Sequence, residues 1–223
     1  MDAIGPQLKV ISNYAVGFDN INIKDATDRG IVVCNTPCDE VDEAVAEHTW
    51  ALISALSRRV VEADEATKRG AYKGWEPDIF LGTSLIGKTL GIIGLGGIGQ
   101  MVARRAEGYK MKVVYNKHTR DTECEEKLGV KYCTLDTLLS ESDVVTLHVP
   151  LTEEALDVFD NEPNIDPELV GMENVILTPH IASATHEARE AMATLAVNGI
   201  VKTLRNEVPE NIVNKEVWEN RRK

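Results

Sequence analysis

The feature that most constrains this chain is the apolar run Leu90-Gly91-Ile92-Ile93, followed at once by Gly94-Leu95-Gly96-Gly97-Ile98-Gly99 and then by an amphipathic stretch reaching Gly108. An apolar run without polar alternation reads as a strand covered on both faces, which is typical of a parallel sheet. Between that strand and the helix, each glycine has a separate physical task. Gly94 permits a tight turn, Gly96 lets the backbone approach an anion, and Gly99 lets the helix pack close to the strand. Unpaired N–H groups at the helix start, together with the helix dipole, suit a pyrophosphate. The loop Gly94, Leu95, Gly96, Gly97, Ile98 and Gly99 is therefore expected to bind a dinucleotide.

The rest of the chain alternates short β-branched runs with longer amphipathic stretches, which predicts an α/β fold with a Rossmann-type doubly wound parallel sheet. Strands are expected at 8–12, 31–34, 89–93, 112–116, 144–149, 155–159 and 175–177. Helices are expected over 20–29, 98–108, 135–140 and 186–205. The longest helical pattern runs from about Asp42 to Arg69 and stops at Gly70.

Charge narrows the partners. With 24 Lys+Arg against 36 Asp+Glu the net charge is −12, so the molecule as a whole repels nucleic acid and anionic membrane surfaces. Residues 1–12 lack the basic start and apolar core of an export signal, and no apolar run reaches bilayer-spanning length. A cytoplasmic protein is expected. The four cysteines show no paired spacing and no nearby His pair, so reduced, mostly buried thiols are expected and no metal site.

Cofactor selectivity is read at the end of the next strand, where an acidic residue would accept both ribose hydroxyls of NAD(H). Here Val113-Val114-Tyr115-Asn116 continues into Lys117-His118-Thr119-Arg120, and no carboxylate occurs before Asp121. Lys117 and Arg120 would attract a 2′-phosphate, with Thr119 adding a hydroxyl and His118 beside it. NADP(H) is the expected cofactor, with NAD(H) as the alternative.

Several further runs carry a family resemblance. They are Gly87-Lys88-Thr89 leading into the glycine loop, His148-Val149-Pro150-Leu151-Thr152, Leu156-Asp157-Val158-Phe159 with Glu162-Pro163, and Thr178-Pro179-His180-Ile181-Ala182-Ser183. Together they resemble the D-isomer-specific 2-hydroxyacid dehydrogenases. Residues 12–19, with Trp75 and Pro77, are most similar to the glyoxylate/hydroxypyruvate reductase branch. The resemblance implies hydride transfer between nicotinamide and a small 2-keto or 2-hydroxy acid. It implies His180 as acid/base, a residue type suited to proton transfer near neutral pH, and Glu162 as the carboxylate that orients it. It also implies that Val16 and Gly17 receive the substrate carboxylate, that Val149 and Pro150 line the cofactor, and that a homodimer forms through the cofactor domain.

The chain departs from the family at one catalytic group. None of its eleven arginines stands in the family's Asn-x-Ala/Gly-Arg-Gly setting, which supplies the arginine that clamps the substrate. Spacing points to the same gap. Only Pro150 to Glu154 separate the strand ending at Val149 from the run starting at Ala155, whereas a parallel crossover needs roughly a dozen residues. Either an Arg-bearing segment is missing near 154–155 or the second run is not a parallel strand. Residues 1–6 resemble the tail of a helix that, in the family, follows further βα units. The expected layout is residues 1–37 as a remnant of a flavodoxin-like substrate domain, 38–182 as the cofactor domain and 183–223 returning to the remnant. Exposed apolar surface is expected there. The shortened chain is expected to be an oxidoreductase with reduced or no activity. The alternatives are a nucleotide-sensing corepressor-like interaction protein or a non-functional truncated product.

Overall fold

The computed structural model describes residues 5–149, 167–172 and 175–222. In chain order the elements are β1 (Val10–Ser12), α1 (Ile23–Asp28), β2 (Val32–Cys34), α2 (Asp39–Ser57), α3 (Val60–Lys68), β3 (Thr89–Ile93) and α4 (Gly97–Ala106). They continue with β4 (Lys112–Asn116), α5 (Thr122–Leu128), β5 (Lys131–Tyr132), α6 (Leu135–Glu141), β6 (Val144–Leu147), α7 (Pro167–Val170) and α8 (His186–Leu204). The chain divides into two units, Val45–Ala182 and Met1–Ala44 with Ser183–Lys223.

The unit 45–182 is built on a parallel sheet of order β5-β4-β3-β6. The first strand of the unit lies inside, the next two extend to one side and the fourth returns to the other. That reversal makes a crevice at the carboxyl ends of β3 and β6, the position where open α/β sheets take ligands. Leu90 and Ile92 of β3 are wholly buried and face Val102, Ala103 and Ala106 of α4 in one core. Trp50 of α2 joins it, donating from its indole nitrogen to the Val102 carbonyl at 3.1 Å and stacking on Tyr109 at 4.4 Å between centroids. Burial of a Leu or Ile contributes about 1.5–3 kcal/mol each, so β3 is held hard in the middle of the unit.

The single long helix expected from Asp42 to Arg69 is two. Arg59 adopts φ 52°, a left-handed conformation that ends α2 before α3 begins. The freed Ser57 carbonyl accepts from the Thr83 N–H at 2.7 Å, and a β-carbon on Gly82 would collide with that same oxygen. A distant loop therefore occupies the break, which periodicity along one segment cannot register. Val60 and Val61, which extend the apolar pattern, are exposed. The strand expected at 175–177 is not one: Val175–Leu177 form no ladder among the described residues, and the chain runs into Pro179, which has no N–H to donate. Residues 155–159 lie outside the described residues.

The other unit holds the parallel pair β1-β2, joined through α1. Its C-terminal segment completes β2. Asn214 is 1% exposed, accepting from the Val33 N–H at 2.8 Å and donating to the Ile31 carbonyl at 3.0 Å. Arg222 donates to the carbonyls of Arg29, Gly5 and Leu8, while its own N–H reaches Gly30. Apolar surface is exposed in this unit at Val197 and Leu204 of α8 and at Val208. Of the thiols, only Cys34 is buried; Cys38, Cys124 and Cys133 are partly exposed, because they lie on helix or loop surfaces rather than in a strand interior.

Candidate functional site

At the carboxyl end of β3 the chain turns at Gly94 with φ 96°, donating its N–H to the Asn116 carbonyl at 2.9 Å. A β-carbon on Gly94 would collide with the carbonyl oxygen of His148, so this position is closed to any other residue on two counts. A β-carbon on Gly99 would collide with the Gly94 carbonyl oxygen and touch Ile92, which is the helix–strand approach that glycine alone allows. Gly96 differs from both: a β-carbon there meets nothing within 4 Å. Its open face lies at the start of α4, where no side chain caps the N-terminus and no acidic residue stands in the first turn. The early N–H groups of α4 have no intrahelical partner. Leu95 is wholly buried beneath the loop, Ile98 packs on the core, and Gly97 opens the helix. The residues fit a dinucleotide pyrophosphate: closed glycines underneath and an open, uncapped helix start above.

Two other expected groups meet this loop. Val149, 40% exposed, lies against Gly94, where a β-carbon would come within 2.9 Å of its Cγ1. Lys117 donates from Nζ to the Leu95 carbonyl at 3.3 Å and to Asp121 Oδ2 at 3.2 Å, bridging the glycine loop and the turn after β4. Arg120 lies on that turn but faces Glu125, with Nε and Nη2 each 2.8 Å from a carboxylate oxygen. His118 and Thr119 are exposed beside it.

The cations of this turn, expected to attract a 2′-phosphate, are paired within the protein. Both have carboxylate partners. Arg120 holds the Glu125 carboxyl below its ordinary range, and the Cys124 N–H and Lys117 do the same for Asp121. Lys117 and Asp121 lie in the turn after β4, outside any helix, so their four-residue spacing is not the helical i, i+4 pairing signal. The five-residue reach from Arg120 to Glu125 across a helix start carries no such signature.

His180 follows Pro179 with φ 51°, its N–H donating to the Thr178 carbonyl at 3.0 Å. The neighbouring Thr178 hydroxyl lies 3.2 Å from His48 Nε2, which ties the His180 loop to α2. His48, His148 and His180 line one cavity with β6. Burial pushes His148 down to about 4, and its Nε2 pairs with the Thr146 hydroxyl at 2.9 Å, so it is a neutral packing group at neutral pH. His48 and Thr178 are 130 positions apart, so no local spacing in the sequence marks their contact. Pro150 and Glu162 lie outside the described residues. Val16 and Gly17 belong to the other unit, in the loop before α1. Their carbonyls accept from the Asn35 and Asn13 side chains at 2.7 Å each, while their N–H groups donate to no described residue.

Known proteins with related sequences fix the family. Residues 50–155 match the family described as D-isomer specific 2-hydroxyacid dehydrogenase, NAD binding domain. A glyoxylate reductase of Thermococcus litoralis is 42% identical, covering 95% of this chain and 78% of its own length. The chain belongs to the D-isomer specific 2-hydroxyacid dehydrogenases. Glyoxylate reductases of Pyrococcus furiosus and Korarchaeum cryptofilum are each 41% identical over 95% of the chain and 77% and 78% of their own lengths. Among solved structures, an NADPH-dependent glyoxylate/hydroxypyruvate reductase from Sinorhizobium meliloti superposes with a TM-score of 0.83 at 27% identity, over 98% of this chain and 81% of that one.

The match to an NAD binding domain supports a nicotinamide cofactor for this chain. The α/β fold with its parallel sheet is likewise that of the 2-hydroxyacid dehydrogenases. The alignment with the Thermococcus enzyme runs over 261 positions, more than the 223 residues of the chain. That dehydrogenase therefore carries residues for which this chain has no counterpart. Among the described residues, no helix is long and apolar enough to cross a membrane.

Proposed function

We propose that this chain is built for hydride transfer between NADP(H) and a small 2-keto or 2-hydroxy acid of the glyoxylate or hydroxypyruvate type. The observation that carries the reading is the open face of Gly96 between the closed glycines Gly94 and Gly99, in a chain 42% identical to a glyoxylate reductase over 95% of its length. In this reading Gly96, Gly97 and the first N–H groups of α4 seat the pyrophosphate, and Val149 with Pro150 flanks the nucleotide. Lys117, His118, Thr119 and Arg120 face the adenosine ribose. The NADPH dependence of the Sinorhizobium relative supports the phosphorylated cofactor.

A bound nicotinamide supplies or accepts the hydride. The protein's own part is proton transfer and orientation. His180 gives a proton to the oxygen that becomes the hydroxyl, and recovers it in the reverse direction. Glu162 orients the imidazole. Val16 and Gly17 offer backbone N–H groups to the substrate carboxylate.

The internal segment bearing the clamping arginine is absent near 154–155 in this reading. Support comes from the family match ending at residue 155 and from the alignment that outruns the chain. The 223-residue chain is accordingly expected to bind cofactor but to turn over poorly. The test is NADPH oxidation with glyoxylate and hydroxypyruvate, by this chain and by a version carrying the relatives' internal segment. Turnover by the restored version alone is the expected result. No turnover by the restored version overturns the assignment of substrate, and brisk turnover by the present chain overturns the missing segment.

A further inference from the structure

We propose that Glu125 and Asp121 are specificity-determining residues that hold down the affinity of the turn after β4 for a 2′-phosphate, leaving it open to both phosphorylated and unphosphorylated nicotinamide dinucleotides. The inference rests on the reading that the adenosine ribose lies at this turn.

The two carboxylates are fixed from behind rather than loosely drawn to the cations. Glu125 is only 15% exposed at its side chain, against 60% for Arg120, so the acid is the anchored member of the pair. Its Oε1 also accepts from the Tyr115 hydroxyl at 2.9 Å, and Tyr115 is wholly buried in the core. The same hydroxyl accepts from the Asp121 N–H at 2.9 Å. Asp121 is anchored again through Oδ1, which caps α5 by accepting from the Cys124 N–H at 3.1 Å, leaving Oδ2 for Lys117. One buried phenol thus organises both acids, and each acid meets one of the two cations.

The charge consequence follows directly. A 2′-phosphate brings between one and two negative charges to a turn whose Lys117 and Arg120 are already matched one for one. Glu125 takes the Nε and Nη2 edge of the guanidinium, and no hydrogen bond from Nη1 is made among the described residues. A phosphate can still be bound there, but against two standing carboxylates that a ribose hydroxyl does not feel. Neither acid gives up its charge near neutral pH, since Arg120 and the Cys124 N–H with Lys117 hold them below the usual carboxylate range. The geometry grades discrimination down and does not abolish binding of either form.

The experiment is calorimetric titration of the full 223-residue chain with adenosine 2′,5′-bisphosphate and with adenosine 5′-monophosphate, which differ only in the 2′-phosphate. Glu125→Gln and Asp121→Asn each remove one charge and keep the shape, and Asn caps a helix as well as Asp does. Each variant is expected to bind the bisphosphate about threefold more tightly, the scale of one surface charge, with the monophosphate unchanged. Adding Arg120→Ala to Glu125→Gln is expected to remove the gain. An unchanged or weakened bisphosphate affinity in both variants overturns the inference, as does an equal gain for the monophosphate. Should Glu125→Gln fail to fold, Asp121→Asn decides alone. Wild-type protein that binds both probes equally defeats the NADP(H) preference while the variants still decide the role of the acids; failure to bind either probe defeats both.

Discussion

The carbonyl oxygen of His148, at the end of β6, occupies the space that a β-carbon on Gly94 would need. Two strands that are neighbours in the sheet but distant in sequence therefore meet at the turn of the glycine loop, and the turn keeps its φ of 96° only because Gly94 has no side chain. Gly94→Ala is expected to strain the backbone and displace β6 at once. A loss of about 1–3 kcal/mol in stability is expected, together with loss of dinucleotide binding, read by thermal unfolding and by NADPH fluorescence titration.

His148 gives the unit 45–182 a dependence on pH. Burial lowers its imidazole to about 4 in the folded protein, against about 6.5 in an unfolded chain. Between those values the unfolded chain binds a proton that the native state refuses, so stability is complete above pH 6.5 and falls as pH drops toward 4. The decline reaches about 3 kcal/mol at the lower limit. Urea unfolding at pH 7, 5.5 and 4.5 measures it, and His148→Asn is expected to flatten the profile over that window.

Asn214 satisfies a buried N–H and a buried carbonyl of the segment around β2. Asn214→Ala leaves both without partners, and each unsatisfied group costs about 1–3 kcal/mol. A fall of about 3 kcal/mol in denaturant stability is expected, with hydrogen exchange speeding at the Val33 amide.

Lys117 spans the glycine loop and the turn after β4. Lys117→Asp places a third carboxylate beside Asp121 and removes the cation. Affinity for NADPH is expected to fall by about tenfold or more relative to NADH. Unchanged selectivity in paired titrations would remove Lys117 from the ribose site.

What could be read in advance follows from where the information lies. β3 and the glycines after it are contiguous, and Gly94 and Gly99 each stand where a β-carbon would collide with backbone, so the strand, turn and helix of this segment were legible before any coordinates. The α2–α3 break was not, because its cause is the Thr83 N–H seated on the Ser57 carbonyl. The state of Arg120 was hidden for a related reason: its partner Glu125 is set by a tyrosine whose burial belongs to the sheet. Thr178 and His48 met only once the chain had folded back on itself.

The pairing of β2 with the Asn214 segment also carries a consequence for biogenesis. β1 and β2 are made well before residue 214, and until that residue has been made they lack the side chain that satisfies Val33 and Ile31. The unit 45–182, drawn from one continuous stretch, is free to fold in the interval. β1 and β2 are therefore completed only after the unit 45–182 has been made, and until then their unsatisfied backbone groups leave them in need of protection by chaperones.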